Sequence, residues 1–155
     1  MPSRSAGSRA SRSSSKSPSA GKAAAGDGAL ALPSGAPTLR RVTTPRDTNL
    51  MGTVFGGAIL AEIDLAAAVE AHKTHAGSVV TVAMDKVIFK RPVFVGDLIS
   101  LYTRTVSVGT TSITVHVSVW ADRRRPPHES VPVTEATVTM VAVDEELRPV
   151  PVRGG

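Results

Sequence analysis

The feature that most constrains the fold is a helix-forming segment, residues 56–73, that is apolar on nearly all of its faces. It begins at Gly56-Gly57 and contains few acids, among them Glu62 and Asp64. A helix of this composition is normally buried in the middle of a domain, and its acids must find hydrogen-bond donors there. The segment therefore predicts one central helix with the rest of the domain packed around it.

The chain after this helix has the pattern of a β-sheet. Residues 113–120 alternate apolar and polar side chains, which is typical of a strand with one buried face. β-Branched residues and turn formers predict further strands at 79–89, 98–108 and 133–143, with a hairpin turn at 109–111. Residues 39–42 complete the order β–α–β–β–β–β. We therefore expect an α+β fold, an antiparallel sheet around one helix, and at least a dimer because a single sheet leaves unpaired edges.

Composition divides the chain near residue 40. Residues 1–39 are rich in Ser, Ala, Gly and Pro and hold five basic residues against one acid. Such a segment cannot bury enough apolar surface to fold, so it is predicted to be a disordered tail. A transit peptide has a similar composition, but a solvated tail is favoured. Residues 40–155 form the predicted domain, and its 13 basic and 12 acidic residues argue against a nucleic-acid partner.

Several classes of protein are disfavoured by what the sequence lacks. There is no cysteine, which excludes disulfides, thiolate zinc sites and a cysteine nucleophile and agrees with a cytoplasmic location. No apolar run approaches the roughly 20 residues that a membrane-spanning helix needs. The four histidines do not share a metal-ligand spacing with acids, so no metal site is predicted.

Asp64 is the first candidate for catalysis. Its helical neighbours at three and four residues are all apolar or small, namely Leu60, Ala61, Ala67 and Ala68. A carboxylate held against such a surface loses water and gains value as a base. Glu62 has equally apolar neighbours, so periodicity alone leaves both acids open. The backbone N–H groups at Gly56-Gly57 can hold a developing anion at the positive end of the helix dipole. An acid beside an oxyanion site indicates acyl-group chemistry.

The motifs along the chain resemble those of the hotdog-fold acyl-CoA thioesterases, and most closely the YciA-like branch of short- to medium-chain acyl-CoA hydrolases. The resemblance covers residues 40–152, and its specificity lies in the order and spacing of the motifs. They are Asp47-Thr-Asn49-x-x-Gly52-x-x-Phe55-Gly56-Gly57, Glu62-Ile63-Asp64, Val80-Thr81-Val82-Ala83, Phe89-x-x-Pro92-Val-x-Val-Gly96-Asp97, Val108-Gly109-x-x-Ser112-Ile113, Thr134-Glu135-Ala136 and Val141-Ala142-Val143-Asp144.

The resemblance implies a hotdog fold and hydrolysis of acyl-CoA to a fatty acid and CoA, without a cofactor. It makes Asp64 the catalytic acid, acting on water or directly on the thioester. It makes Asn49 the residue that positions the nucleophile or substrate, supplied by the subunit opposite Asp64. The backbone N–H of Gly57 becomes the oxyanion donor. A homo-oligomer is implied, a dimer or a trimer of dimers.

The substrate contacts are assigned on the same basis. Phe55 and Gly56 are expected to contact the acyl-CoA, and Phe55 stands where many relatives have histidine. On chemical grounds, Lys90 and Arg91 at a strand end are the candidate cations for the CoA phosphates, ahead of Arg104 and the loop Arg123-Arg124-Arg125.

Each assignment has a simpler structural alternative. Asn49 could only cap a turn, and Gly56 and Gly57 could serve helix–strand packing. Asp97 and Glu135 are expected to be structural. At the level of function, the alternatives are a non-catalytic acyl-CoA-binding protein and a hotdog dehydratase or hydratase.

Overall fold

Helix α1, Gly56–Ala71, lies against one face of a five-stranded antiparallel sheet. The structure is a computed structural model and describes residues 30–152. Most of the predicted disordered tail, residues 1–29, and the last three residues of the chain therefore lie outside the described residues. The helix begins at the predicted glycine and ends two residues before the predicted limit.

The five strands occur where the sequence patterns predicted them. They are β1 (Leu39–Val42), β2 (Ser78–Asp85), β3 (Leu98–Val108), β4 (Ser112–Asp122) and β5 (Ser130–Val143). Their spatial order is β1-β3-β4-β5-β2, with every neighbouring pair antiparallel. A short 3-10 helix, Pro45–Asp47, follows β1. The prediction for β2 was too long at its end, because Lys86 adopts a left-handed backbone conformation, φ 58°, that extended strands do not contain.

The core lies between α1 and the sheet. In β4 the predicted alternation is confirmed: Val115, Val117 and Val119 are fully buried on the helix side, and the residues between them face the other way. The helix contributes its own buried residues to the same cluster, chiefly Ile59 and Ile63 together with three alanines. These apolar contacts fix the helix on the sheet.

The sheet does not cover every apolar side chain of α1 in the single chain. Leu65 and Val69 are 52% and 41% exposed on the side of the helix that faces away from the sheet. One five-stranded sheet can cover only one side of a helix, so the other apolar side stays open. This open face is continuous along the helix with the position of Asp64.

Strand β2 forms one edge of the sheet and contains a β-bulge between Thr81 and Ala83. Thr81 is paired with Met140, a buried core residue, so its side chain faces the helix side of the sheet. The extra residue at the bulge, Val82, is exposed. Bulges commonly redirect side chains beside functional sites.

Before β1, Thr38 extends the edge of the sheet by donating its backbone N–H to the carbonyl of Leu101. Residues between Leu30 and Ala36 line a cavity of about 510 Å³ together with Tyr102 and Trp120 of the sheet. The division of the chain near residue 40 stays a prediction.

Candidate active site

Asp64 lies on α1 at the border between the helix and strand β2. Its Oδ1 accepts a hydrogen bond from the hydroxyl of Thr81, the residue just before the β2 bulge. This contact fixes the orientation of the carboxylate relative to the sheet. Among the hydrogen bonds of residues 30–152, none involves Oδ2 of Asp64, and the residue is exposed.

The sequence predicted that the apolar neighbours of Asp64 would remove water from its carboxylate. Within one chain this does not happen, because Asp64 is exposed along with Leu65. The apolar surface is present, but the single chain does not close over it. Only an additional molecule on this face can exclude water from Asp64.

The start of α1 provides the second part of the site. Phe55 occupies the N-cap position, and no side-chain oxygen caps the helix. Phe55 donates its backbone N–H to the carbonyl of Asp47, at 2.6 Å, which sets the direction in which the helix begins. The N–H of Ala58 donates to the carbonyl of Phe55 at 2.9 Å, whereas the N–H groups of Gly56 and Gly57 can meet an anion at the positive end of the helix dipole.

Aromatic rings pack closely on both glycines of the helix start. The ring of Phe55 occupies the space that a Cβ of Gly57 would take, and a Cβ on Gly56 would lie 3.5 Å from the ring of Phe89. Both rings are about half exposed. The glycines thus allow two apolar rings to approach the backbone N–H groups, which makes an apolar border around the anion site.

A pocket of about 330 Å³ opens beside the helix start. It is lined by Val54, Gly56, Ile59, Phe89, Lys90, Arg91, Pro92 and Val93. The structure therefore brings three of the predicted substrate-binding residues together, namely Gly56, Lys90 and Arg91. Lys90 Nζ lies 3.2 Å from a carboxylate oxygen of Glu135, so an anionic ligand would have to share or replace this partner. Arg91 donates to the carbonyl of Lys90 at 3.4 Å.

Asn49 lies in the loop between the 3-10 helix and α1, and its side chain closes that loop. Its Oδ1 accepts the backbone N–H groups of Met51 and Thr53, at 2.9 and 3.2 Å, and its Nδ2 donates to the Thr53 hydroxyl at 2.9 Å. The turn-capping alternative therefore describes its contacts within the chain. No hydrogen bond joins Asn49 to Asp64 among residues 30–152.

The other acids have structural partners. Glu62 accepts a hydrogen bond from Arg41 Nε at 2.5 Å, which distinguishes it from Asp64. Asp97 is buried and receives the side chain of Arg123 and the backbone N–H groups of Phe94 and Arg124 before β3 begins. Glu135 pairs with Lys90 and lies 3.6 Å from His116. The expectations for Asp97 and Glu135 agree with these contacts.

Three residues of this region carried no role in the sequence analysis. Thr81 and Phe89 stood within the matched motifs, but a motif does not show that one contacts Asp64 and the other the helix start. Arg41 stood outside them, and its contacts with both Asp47 and Glu62 depend on the packing of β1 beside the helix. Only the folded arrangement reveals these partners.

Over residues 30–152, no group of three or more His, Asp or Glu side chains is arranged to hold a metal ion. In the same range, no helix is both long enough and apolar enough to span a membrane.

Comparison with known proteins assigns the family. Residues 51–127 match the model of the Thioesterase superfamily. The acyl-CoA thioester hydrolase YciA of Salmonella typhimurium is 40% identical over 126 residues, which are 79% of this chain and 95% of that protein. The chain belongs to the YciA family of acyl-CoA thioester hydrolases. YciA of Escherichia coli is similar at 38% identity over 120 residues, covering 76% of this chain and 91% of its own.

Solved structures confirm the hotdog fold for this member of the YciA family. A hexameric hotdog-fold thioesterase of Campylobacter jejuni superposes with a TM-score of 0.73 at 46% identity, over 77% of this chain and 91% of its own. A hexameric thioesterase of Yersinia pestis gives a TM-score of 0.74 at 37% identity, over 79% and 100% of the two chains. An acyl-CoA hydrolase of Staphylococcus aureus, in complex with butyryl coenzyme A and coenzyme A, gives 0.67 at 34% identity, over 75% and 70%.

Proposed function

We propose that this protein is an acyl-CoA thioesterase, which uses water to convert acyl-CoA into a free fatty acid and CoA. The observation that carries the proposal is the Asp64–Thr81 contact on the helix whose uncapped N-terminus offers backbone N–H groups. It occurs in a chain 40% identical to an acyl-CoA thioester hydrolase along nearly the whole of that relative. An acid and an oxyanion site are the two groups that hydrolysis of a thioester requires.

In the proposed mechanism, Asp64 either takes a proton from the attacking water or attacks the thioester carbon itself. Both routes require its carboxylate at the carbonyl group, and the Thr81 hydroxyl orients it there. Negative charge then develops on the carbonyl oxygen, where the N–H of Gly57 stabilises it. A fixed donor of this kind is typically worth about 10²–10³ in rate. On the general-base route, collapse of the tetrahedral intermediate breaks the C–S bond, and the CoA thiolate takes up the proton that Asp64 removed from water, which leaves the fatty acid and free CoA. On the nucleophilic route, the same bond breaks to leave an acyl–Asp64 anhydride, which water then hydrolyses to release the fatty acid and restore the carboxylate.

The pocket beside the helix start is the proposed entry for the substrate. Phe55, Gly56 and Phe89 provide apolar contacts next to the oxyanion donor. Lys90 and Arg91 provide cations at the mouth for the phosphates of CoA, since both lie on the same pocket wall. Water, one acid and backbone donors suffice for this chemistry, so we propose that the enzyme uses no cofactor and no metal.

We propose that the enzyme acts as a homo-oligomer, in which dimers form through edge strand β2 and assemble further as a trimer of dimers. Three exposed apolar side chains support the dimer, namely Leu65 and Val69 on α1 and Val82 on β2. A second copy on this face would remove water from Asp64, which the single chain leaves exposed. Asn49 would reach Asp64 of the second copy. Relatives of known structure from Campylobacter jejuni and Yersinia pestis are hexameric.

The same residues give less support to the alternative functions. A non-catalytic acyl-CoA-binding protein would not require an acid oriented beside an oxyanion donor. A hotdog dehydratase or hydratase would be expected to pair an acid with histidine, and none occurs between Asn49 and Asp64. Nucleic acid is an unsuitable partner because the domain is nearly neutral. A cytoplasmic location is part of the proposal, because a chain without cysteine suits a reducing compartment.

The proposal is tested by measuring free-thiol release from acyl-CoAs ranging from acetyl- to palmitoyl-CoA. We expect turnover at a rate proportional to enzyme concentration on at least one chain length, with the acid and CoA formed in equal amounts. Tight binding of acyl-CoA without thiol release on any member of the series would instead support the non-catalytic alternative.

A further inference from the structure

Arg41 of strand β1 connects two elements that carry site residues. Its Nε contacts Glu62 Oε1 on α1 at 2.5 Å, while Nη1 and Nη2 contact the two carboxylate oxygens of Asp47 at 2.9 and 3.2 Å. The guanidinium thus makes a two-pronged contact with one acid and a single contact with the other. We refer to Arg41, Asp47 and Glu62 as the Arg41 bridge.

Asp47 is the base of the loop that carries Asn49. Its backbone carbonyl accepts the N–H of Phe55 at 2.6 Å, and its side chain accepts the N–H of Thr44 at 2.7 Å. The chain therefore leaves Asp47, runs through the Asn49 turn and returns to Asp47 at the residue where α1 begins. Whatever fixes Asp47 also fixes both ends of the loop over residues 48–54, called here the Asn49 loop.

Burial, charge and geometry all stabilise the Arg41 bridge. Its three side chains are mostly buried, with 27% of Arg41 and 17% of each acid exposed. The Arg41 guanidinium, with help from the backbone of Thr44, holds the pKa of the Asp47 carboxyl well below its ordinary range, so the acid is ionised at neutral pH. A bidentate (two-pronged) contact between arginine and carboxylate also restricts the relative orientation of the two side chains, which a single ion pair does not.

We propose that Arg41 is a positioning residue for catalysis, which holds the Asn49 loop in a fixed place relative to the helix that carries Gly57 and Asp64. This inference rests on the proposed function. In a symmetric dimer each copy would use its own Asp64 and supply Asn49 to its partner. The Arg41 bridge then fixes the distance between Asn49 and Asp64 within each copy. Both shared sites are therefore assembled correctly when the two copies pair.

The test compares Arg41→Met, Glu62→Gln and the double variant by kcat, KM and amide hydrogen exchange. Arg40→Met is the matched control, because Arg40 neighbours Arg41 on β1 but pairs with Asp122 at 2.8 Å on the exposed surface. Each single bridge variant should lower kcat by about tenfold or more, because small misplacement of reacting groups is costly. The double variant should lose little more, since both changes break the same connection.

Hydrogen exchange separates positioning from a general loss of stability. In Arg41→Met, exchange should become faster in the Asn49 loop and stay unchanged in β3, β4 and β5, while Arg40→Met should match the parent throughout. Arg41→Lys keeps the charge but can reach only one acid at a time, so it should recover part of kcat. If Arg41→Met does not fold, the same comparison is made with Arg41→Lys.

Full kcat in the bridge variants, losses that add in the double variant, or faster exchange spread over the whole sheet would each overturn the inference. Failure of the proposed function gives a different result. In that case the parent protein would hydrolyse no acyl-CoA, although Arg41→Met would still loosen the Asn49 loop.

Discussion

Asp64 and Glu62 lie two residues apart on α1 but have opposite kinds of partner. Glu62 is neutralised by Arg41, whereas Asp64 is met only by the uncharged hydroxyl of Thr81 among its described hydrogen bonds. The ion pair with Arg41 occupies the Glu62 carboxylate in a contact between β1 and α1, whereas Asp64 lies at the open face of the helix. The difference in partners singles out Asp64 as the proposed catalytic group.

At the residue scale, Thr81→Val should lower kcat by about tenfold and leave the fold intact. Valine has nearly the same shape and favours strands, but it cannot donate to Asp64, and a hydrogen bond to a charged group is worth roughly 1.5–3 kcal/mol. Steady-state thiol release on the best substrate measures the change. Thr81→Ser retains the hydroxyl and should keep most of the activity. A loss in Thr81→Ser with full activity in Thr81→Val would show that the methyl group, rather than the hydrogen bond, matters.

The residue types of the site could be predicted from the sequence, but their surroundings could not. The motif containing Asp64 and the uncapped glycine start were visible in the sequence. The sequence did not show that Thr81 would face Asp64, because this depends on a β-bulge in a strand 17 residues away. Helical periodicity alone also left Glu62 and Asp64 open, since only the packing of β1 brings Arg41 to one of them.

At the element scale, the Asn49 loop depends on a glycine. Gly52 has φ 78°, in the left-handed region, and donates its N–H to the carbonyl of Asn49 at 3.1 Å. No heavy atom lies within 4 Å of the Cβ position at Gly52, so a methyl group there meets no obstacle and the cost of a substitution is conformational. That cost is about 1–2 kcal/mol for a residue with a side chain.

Gly52→Ala should therefore distort the turn that Asn49 caps and lower kcat severalfold, with a small loss in melting temperature. Gly35→Ala is the matched control, because Gly35 has φ 99° and equally open space but lies before β1. The control should pay a similar conformational cost without a change in kcat. If both variants kept the parental kcat, the geometry of the Asn49 loop would not matter for turnover.

The elements themselves follow well from local patterns. Strand β4 and the start of α1 are where alternation and the glycine pair predicted them, because each has one buried face and clear turn formers at its ends. The end of β2 and its bulge were missed, since residues 79–89 are uniformly rich in strand formers and nothing in the composition marks the left-handed Lys86. Local strand propensity therefore did not predict that β2 ends before Lys86.

At the scale of the whole molecule, the single chain leaves apolar surface uncovered beside the proposed site. Leu50 and Met51, next to Asn49, are almost fully exposed, and Leu65 and Val69 on the open face of α1 are about half exposed. The sequence predicted an oligomer from the unpaired sheet edge, and the exposed surface agrees with it. The sequence alone gave no means of locating the second copy, because the exposed apolar side chains come from separated segments of the chain, namely the Asn49 loop, α1 and β2.

The most direct test of the central claim, a thioester-hydrolysing site shared between two copies, is a subunit-mixing experiment with Asp64→Asn and Asn49→Ala. Each variant alone should lose at least about 10² in kcat, because the first cannot accept a proton or attack and the second lacks the positioning amide. After mixing in equal amounts and verified subunit exchange, half of the dimers are mixed. Each mixed dimer contains one site with both groups intact.

The mixture should recover about a quarter of the parental rate, since about one site in four is then complete. The measurement is free-thiol release before and after exchange, with unmixed variants kept at the same total concentration. No recovery despite complete exchange would contradict the shared site, and so would parental activity in Asp64→Asn alone.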